Sequence, residues 1–122
     1  MKIAVLTTFH AAGYNKYARR MIQTFLQTWP ASVDLIVYPQ DCEVQERAAN
    51  LEIRDLHASV PELVTFKNRW QSDPRARGEV AMGPPDRKGK APGIGFRWDA
   101  IRFSHKIYSV CHAARTVSYT HL

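Results

Sequence analysis

Lys2-Ile3-Ala4-Val5-Leu6-Thr7-Thr8-Phe9-His10 and Val33-Asp34-Leu35-Ile36-Val37-Tyr38 frame the stretch that decides the fold. The first run is apolar without alternation from Ile3 to Leu6, the pattern of a strand buried on both faces in a parallel sheet. Asn15 is placed to cap a helix beyond Ala11-Ala12-Gly13. Ala18, Met21, Ile22, Phe25 and Trp29 then recur at helical spacing until Pro30. Val33 to Tyr38 reads as a second strand, stopped by Pro39. Strand, helix and strand in so short a span predict parallel strands joined by a right-handed crossover. The fold class that follows is α/β, an incomplete Rossmann-like parallel sheet with flanking helices.

Further along, residues 43–50 form a polar, helix-compatible turn, and Leu51-Glu52-Ile53-Arg54 alternates as a strand at or near a sheet edge does. Ser59 or Val60 with Pro61 opens a helix to about Trp70, because proline is welcome in a first helical turn. Residues 73–95 hold 4 of the 7 prolines, 5 of the 6 glycines and the cluster Arg87-Lys88-Gly89-Lys90. That composition predicts a long, flexible, basic loop. Arg97 to about Arg115 reads as a last helix with an apolar face of Ala100, Phe103, Ile107, Val110, Cys111 and Ala114. Asp99, Arg102, Lys106 and Ser109 are expected to share its polar side. Residues 116–122 carry no closing signal.

With 122 residues, 45% of them hydrophobic, there is room for one domain and a core. No run approaches the ~20 apolar residues of a membrane span, and Met1 to Leu6 is too short for a signal peptide. Cys42 and Cys111 make neither a disulfide framework nor a metal spacing, so a cytoplasmic, reduced protein is expected. The net charge of +6 is uneven: residues 1–66 carry 6 basic and 7 acidic side chains, residues 67–122 carry 11 and 4. A basic second half points to an anionic partner, either a phosphate-bearing ligand or a nucleic acid, or else simply to a soluble surface.

Ligands of open parallel sheets bind beyond the carboxyl ends of the strands. That rule brings Thr7, Thr8, Phe9 and His10 near Gln40 and Asp41, where hydroxyls can hold a ribose or base and the Asp41 carboxylate can accept from a ring N–H. Equally, Thr7 and Thr8 can simply end a strand and Asp41 cap the next helix. Arg102 and Lys106 can reach a diphosphate, one as a fork and one as a point charge; a solvated face with an Asp99–Arg102 ion pair is the plainer alternative. Gly93-Ile94-Gly95 lacks the third glycine and the preceding strand of a dinucleotide fingerprint, and Gly89-Lys90 lacks the Ser or Thr of a phosphate loop. The five histidines show no metal-ligand spacing.

Met1-Lys2-Ile3-Ala4-Val5-Leu6-Thr7-Thr8-Phe9 with Gly13-Tyr14 resembles the opening of glycosyltransferases with the A-type, nucleotide-diphospho-sugar transferase fold. Gly95-Phe96-Arg97-Trp98-Asp99-Ala100-Ile101-Arg102-Phe103-Ser104-His105-Lys106 resembles the helix before the metal-binding strand in phage and bacterial members. Over residues 1–115 the resemblance implies the front half of such a domain, a partial nucleotide-sugar-binding unit. It implies nucleotide contacts from Thr7, Thr8 and Asp41 and further contacts from Asp99 and Lys106. It also implies a divalent cation, Mn or Mg, held in the full-length family by an Asp-x-Asp motif that does not occur here, since no Asp follows Asp99. Residues 116–122 resemble translated adaptor sequence and are expected to be non-native. The expected function is donor-nucleotide binding for a glycosyltransferase with an unspecified acceptor. The alternative is a small basic nucleic-acid-binding domain using Arg75, Arg77, Arg87, Lys88 and Lys90.

Overall fold

A computed structural model describes residues 3–80, 87–89 and 94–116. Three parallel strands form an open sheet in the order β1-β2-β3: β1 (Ile3–His10), β2 (Val33–Gln40) and β3 (Leu51–Ile53). β1 pairs with β2 along all eight residues, from Ile3 opposite Val33 to His10 opposite Gln40, whereas β3 reaches only from Leu35 to Val37. The helices are α1 (Ala11–Gly13), α2 (Arg19–Thr28), α3 (Leu56–Ser59), α4 (Pro61–Trp70) and α5 (Ala100–Thr116). A π-helical turn, Tyr14–Ala18, joins α1 to α2, and a 3₁₀ turn, Phe96–Trp98, precedes α5.

Alternation along the strands sorts the core into two layers. Leu35 and Val37 join Phe9, Tyr14, Ala18, Ile22, Phe25 and Val44 on the α2 face. Ile36 and Tyr38 join Leu56, Val60, Leu63 and Ala113 on the face covered by α3, α4 and α5. β2 is the buried centre, as expected of a parallel strand between two helical layers. β1 differs from the expectation of burial on both faces, since most of its residues are only half-buried. It lies at one edge of the sheet and has a single strand neighbour among the described residues.

Element boundaries moved for local reasons. The first helix starts at Ala11, not after Asn15, because the Nδ1 of His10 accepts from the Gly13 N–H at 2.8 Å and supplies the cap. β2 continues through Pro39 to Gln40. β3 stops opposite Val37, so Pro39 lies where β2 has one open side and a missing N–H is tolerated. Residues 43–50 are irregular, not helical. They are tied to the first helix by Glu46, which accepts from Tyr14 Oη at 2.6 Å and Arg19 Nε at 3.2 Å. Asp55 caps α3 through the Ala58 N–H, and α4 spans Pro61–Trp70 as the proline predicts.

The inward face of α5 corrects the sequence reading. Ser104, Ser109 and Ala113 are buried, while Phe103, Ile107 and Val110 are 44%, 61% and 45% exposed, and Ala100, Cys111 and Ala114 are exposed too. Small residues let α5 lie close against β1 and α4. The two hydroxyls cost little there because each bonds back to its own helix, Ser104 to Ile101 O at 2.6 Å and Ser109 to Lys106 O at 2.9 Å. Ser109 therefore does not share the polar side with Asp99, Arg102 and Lys106. Only part of the expected 73–95 loop is described. Of residues 116–122, Thr116 ends α5, and the expectation for 117–122 lies outside the described residues.

Candidate functional site

At the carboxyl ends of β1 and β2, a cleft of about 470 Å³ opens between the π-helical turn and the first turns of α5. Thr8, Phe9 and His10 come from β1, Gln40 from β2, Tyr17 from the turn, and Arg102, Phe103, His105 and Lys106 from α5. This is the position at which open α/β sheets take ligands. Of the residues expected from sequence, Thr8, Phe9, His10, Gln40, Arg102 and Lys106 meet here.

Their roles differ. The Thr8 hydroxyl donates to Tyr38 O at 2.8 Å and accepts from Gln40 Nε2 at 3.2 Å, so it clamps the two strands and orients the Gln40 amide at the cleft. Phe9 is a core residue, its ring stacked on Tyr14 at 5.7 Å. Thr7 falls on the other face of β1, in step with Val5 and Phe9 toward α2. Arg102 lays its guanidinium over the Phe96 ring at 5.6 Å, and Lys106 makes no ion pair among the described residues. Two cations one helical turn apart therefore face the cleft.

Asp99 caps α5 by accepting from the Arg102 backbone N–H at 3.0 Å; the expected side-chain pairing with Arg102 gives way to this cap. It lines a second cleft of about 490 Å³ with Gln71, Ser72, Arg77 and Ile101. Arg102 and His105 border both clefts. Asp41 caps no helix. It ends β2 in a left-handed conformation, φ 50°, which aspartate tolerates, and its exposed carboxylate accepts from His57 Nδ1 at 3.2 Å.

Behind the clefts lies a chain of groups that spacing does not reveal. Lys67 Nζ donates to His57 Nε2 at 3.0 Å, which leaves the His57 hydrogen on Nδ1, facing Asp41. The His57 ring meets His105 edge to face at 5.9 Å. Burial first, then the neighbouring Lys67 and His57 side chains, push His105 down to about 4, against a hydrogen bond to the Arg102 backbone. Its Nε2 is buried and has no hydrogen-bond partner among the described residues. Sequence offered no signal for this group, since α3, α4 and α5 each contribute one residue. Tyr17 was missed because a π-helical turn shifts the register that helical periodicity assumes. Phe103 reads as a core residue by apolar character alone, yet it is exposed at the cleft.

Among the described residues no trio of His, Cys, Asp or Glu is placed to hold a metal ion. No described helix is long and apolar enough to cross a membrane. Two of the cations considered for nucleic acid have acidic partners, Arg75 with Asp73 at 3.1 Å and Arg77 with Glu79 at 3.3 Å, and Lys90 lies outside the described residues. No protein-family model matches the chain, and neither does a curated protein or a solved structure.

Proposed function

We propose that the cleft at the ends of β1 and β2 binds a nucleoside diphosphate, as the donor site of a nucleotide-sugar transferase does. The carrying observation is the pair Arg102 and Lys106, which face a cleft that also contains Gln40 and two exposed rings, Tyr17 and Phe103. A guanidinium fork and an ammonium are the groups that hold a diphosphate, and they gain strength in a recess partly shielded from water. The Gln40 amide supplies a donor and an acceptor suited to a base edge. The resemblance of residues 1–115 to glycosyltransferases of the A-type fold supports the same reading, and transfer to an acceptor belongs to that resemblance alone.

Isothermal titration with UDP and GDP, with and without manganese, tests this. Binding is expected, weakened about tenfold or more by Arg102→Ala and by Lys106→Ala, as loss of a charged hydrogen bond implies. Both side chains are exposed, so circular dichroism should show an intact fold in each variant. Absence of heat with either nucleotide under all conditions would overturn the proposal. A steep salt dependence of duplex binding instead would favour the nucleic-acid alternative.

A further inference from the structure

The outward face of α5 has no part in nucleotide binding beyond its first turns. Phe103, Ile107, Val110, Cys111 and Ala114 recur at spacings of four, three, one and three, and every one of them is exposed. At about 100° per residue they form one stripe along the helix, opposite the side on which Ser104, Ser109 and Ala113 are buried. We propose that this stripe docks α5 in the plane of an anionic lipid surface, its apolar residues at the acyl boundary and its flanking cations among the headgroups. Docking of this kind is independent of what the cleft binds.

Charge decides which partner fits. Lys106 lies on one flank of the stripe and Arg115 on the other, and neither has an ion pair among the described residues. α5 holds no acidic side chain, and no Asp or Glu follows Asp99 in the chain. Glu62, at the start of α4, shares a groove with Ile107 and Arg115 but makes no ion pair with Arg115. A second copy packed stripe to stripe would bring the cations of both helices to one seam without a carboxylate on α5 to answer them, and like charges so placed repel. A nucleic acid would meet the cations, but its phosphates leave no place for Ile107 and Val110. An anionic bilayer surface satisfies both: a helix apolar on one side and basic at its edges lies in that interface, and each cation there adds to the attraction.

The turn before the helix has the same character. Phe96 and Trp98 are 62% and 58% exposed, with the exposed Arg97 between them and the Arg102 guanidinium over the Phe96 ring. Tryptophan beside arginine suits the headgroup level, where an amphipathic ring is half in water. The stripe is also held outward and cannot simply roll into the core. His112 Nδ1 meets the buried Tyr38 hydroxyl at 2.9 Å, and Arg54 Nη1 donates to Thr116 Oγ1 at 2.6 Å, so the far end of α5 is pinned to the sheet. Lying in the interface requires no membrane span, and no described helix provides one.

Co-sedimentation of the intact chain with lipid vesicles tests this. Binding is expected to vesicles of equal parts phosphatidylglycerol and phosphatidylcholine at low ionic strength, weakening as salt is added, with little binding to phosphatidylcholine alone. Ile107→Ser/Val110→Ser is expected to weaken it about tenfold or more, and Ile107→Leu/Val110→Leu to retain it. Arg115→Glu should weaken it about tenfold, since it removes one attraction and adds a repulsion. None of these positions lines the cleft at the ends of β1 and β2, so nucleotide titrations should be unchanged in all three variants. No binding to anionic vesicles, equal binding to neutral ones, or binding indifferent to the double serine variant would overturn the proposal. Dimers that the serine variant abolishes would overturn it in favour of a second copy, and tighter binding of polyglutamate than of vesicles in favour of an acidic protein.

Discussion

Glu46 is the residue on which the irregular segment after β2 depends. Its carboxylate takes hydrogen bonds from Tyr14, Arg19 and, at 3.4 Å, Gln23, all on the first helical run, while the Tyr14 hydroxyl also accepts from the Gln45 N–H. Burial pushes the Glu46 carboxyl up, yet the Tyr14 and Arg19 hydrogen bonds outweigh it and hold the group below its usual value of 4.5. A carboxylate so held contributes stability above pH 4.5 and loses it as pH falls through the lowered folded value. Glu46→Ala leaves the buried Tyr14 O–H without the acceptor it donates to and should cost about 1–3 kcal/mol in urea unfolding at pH 7, with the cost shrinking as the pH falls. A pH-independent cost would mean that lost packing, not charge, explains it. Tyr38 plays the corresponding part on the other face: fully buried, it accepts from Arg54 Nη1 at 2.9 Å and meets His112 Nδ1 at 2.9 Å, which ties the end of α5 to the sheet.

At the scale of elements, α5 is where sequence and structure part company. Ser104 and Ser109 face the sheet, and a stripe of Phe103, Ile107 and Val110 faces outward. The expected outcome of Ser109→Leu is a loss of about 1–3 kcal/mol from overpacking against β1 and α4. Ile107→Lys, on the exposed stripe, should stay within about 0.5 kcal/mol of the parent. Thermal melts that ranked the two the other way would show that the stripe is the buried face in solution. The difference between the elements that were legible and those that were not has a physical cause. β1, β2, β3, α2 and α4 could be read because their apolar residues face inward at the period of their own backbone and are flanked by proline or a cap. α5 could not, since hydrophobic periodicity assumes that the apolar face is the buried one, and close packing there selected small side chains instead. The cleft was half legible. Thr8, Arg102 and Lys106 follow from the carboxyl-end rule and helical spacing, but Tyr17 and His105 come to the cleft, and His57 and Lys67 come to His105, only once the helices are packed.

Taken whole, the molecule places the most perturbed titrating group among the described residues between elements and not within one. His105 on α5 faces His57 of α3 and Lys67 of α4, with the Asp41 carboxylate beyond His57 and Asp99 at the start of its own helix. Burial of the imidazole, with two basic neighbours, brings it from 6.5 to about 4, and His112 shifts in the same direction through burial and Arg54. The sign follows from proton counting. Between pH 6.5 and about 4 the unfolded chain binds a proton at His105 that the folded chain does not, so stability rises with pH across that window and is lost on acidification through it; the lowered His112 acts in the same sense below 6.5. The urea midpoint should therefore be higher at pH 7.5 than at pH 6 and fall further by pH 5, before the carboxylates titrate. In His105→Gln the slope should flatten without vanishing, His112 supplying the remainder. A midpoint unchanged between pH 7.5 and 5 would place the His105 ring in water and remove the three-helix contact on which the floor of both clefts depends.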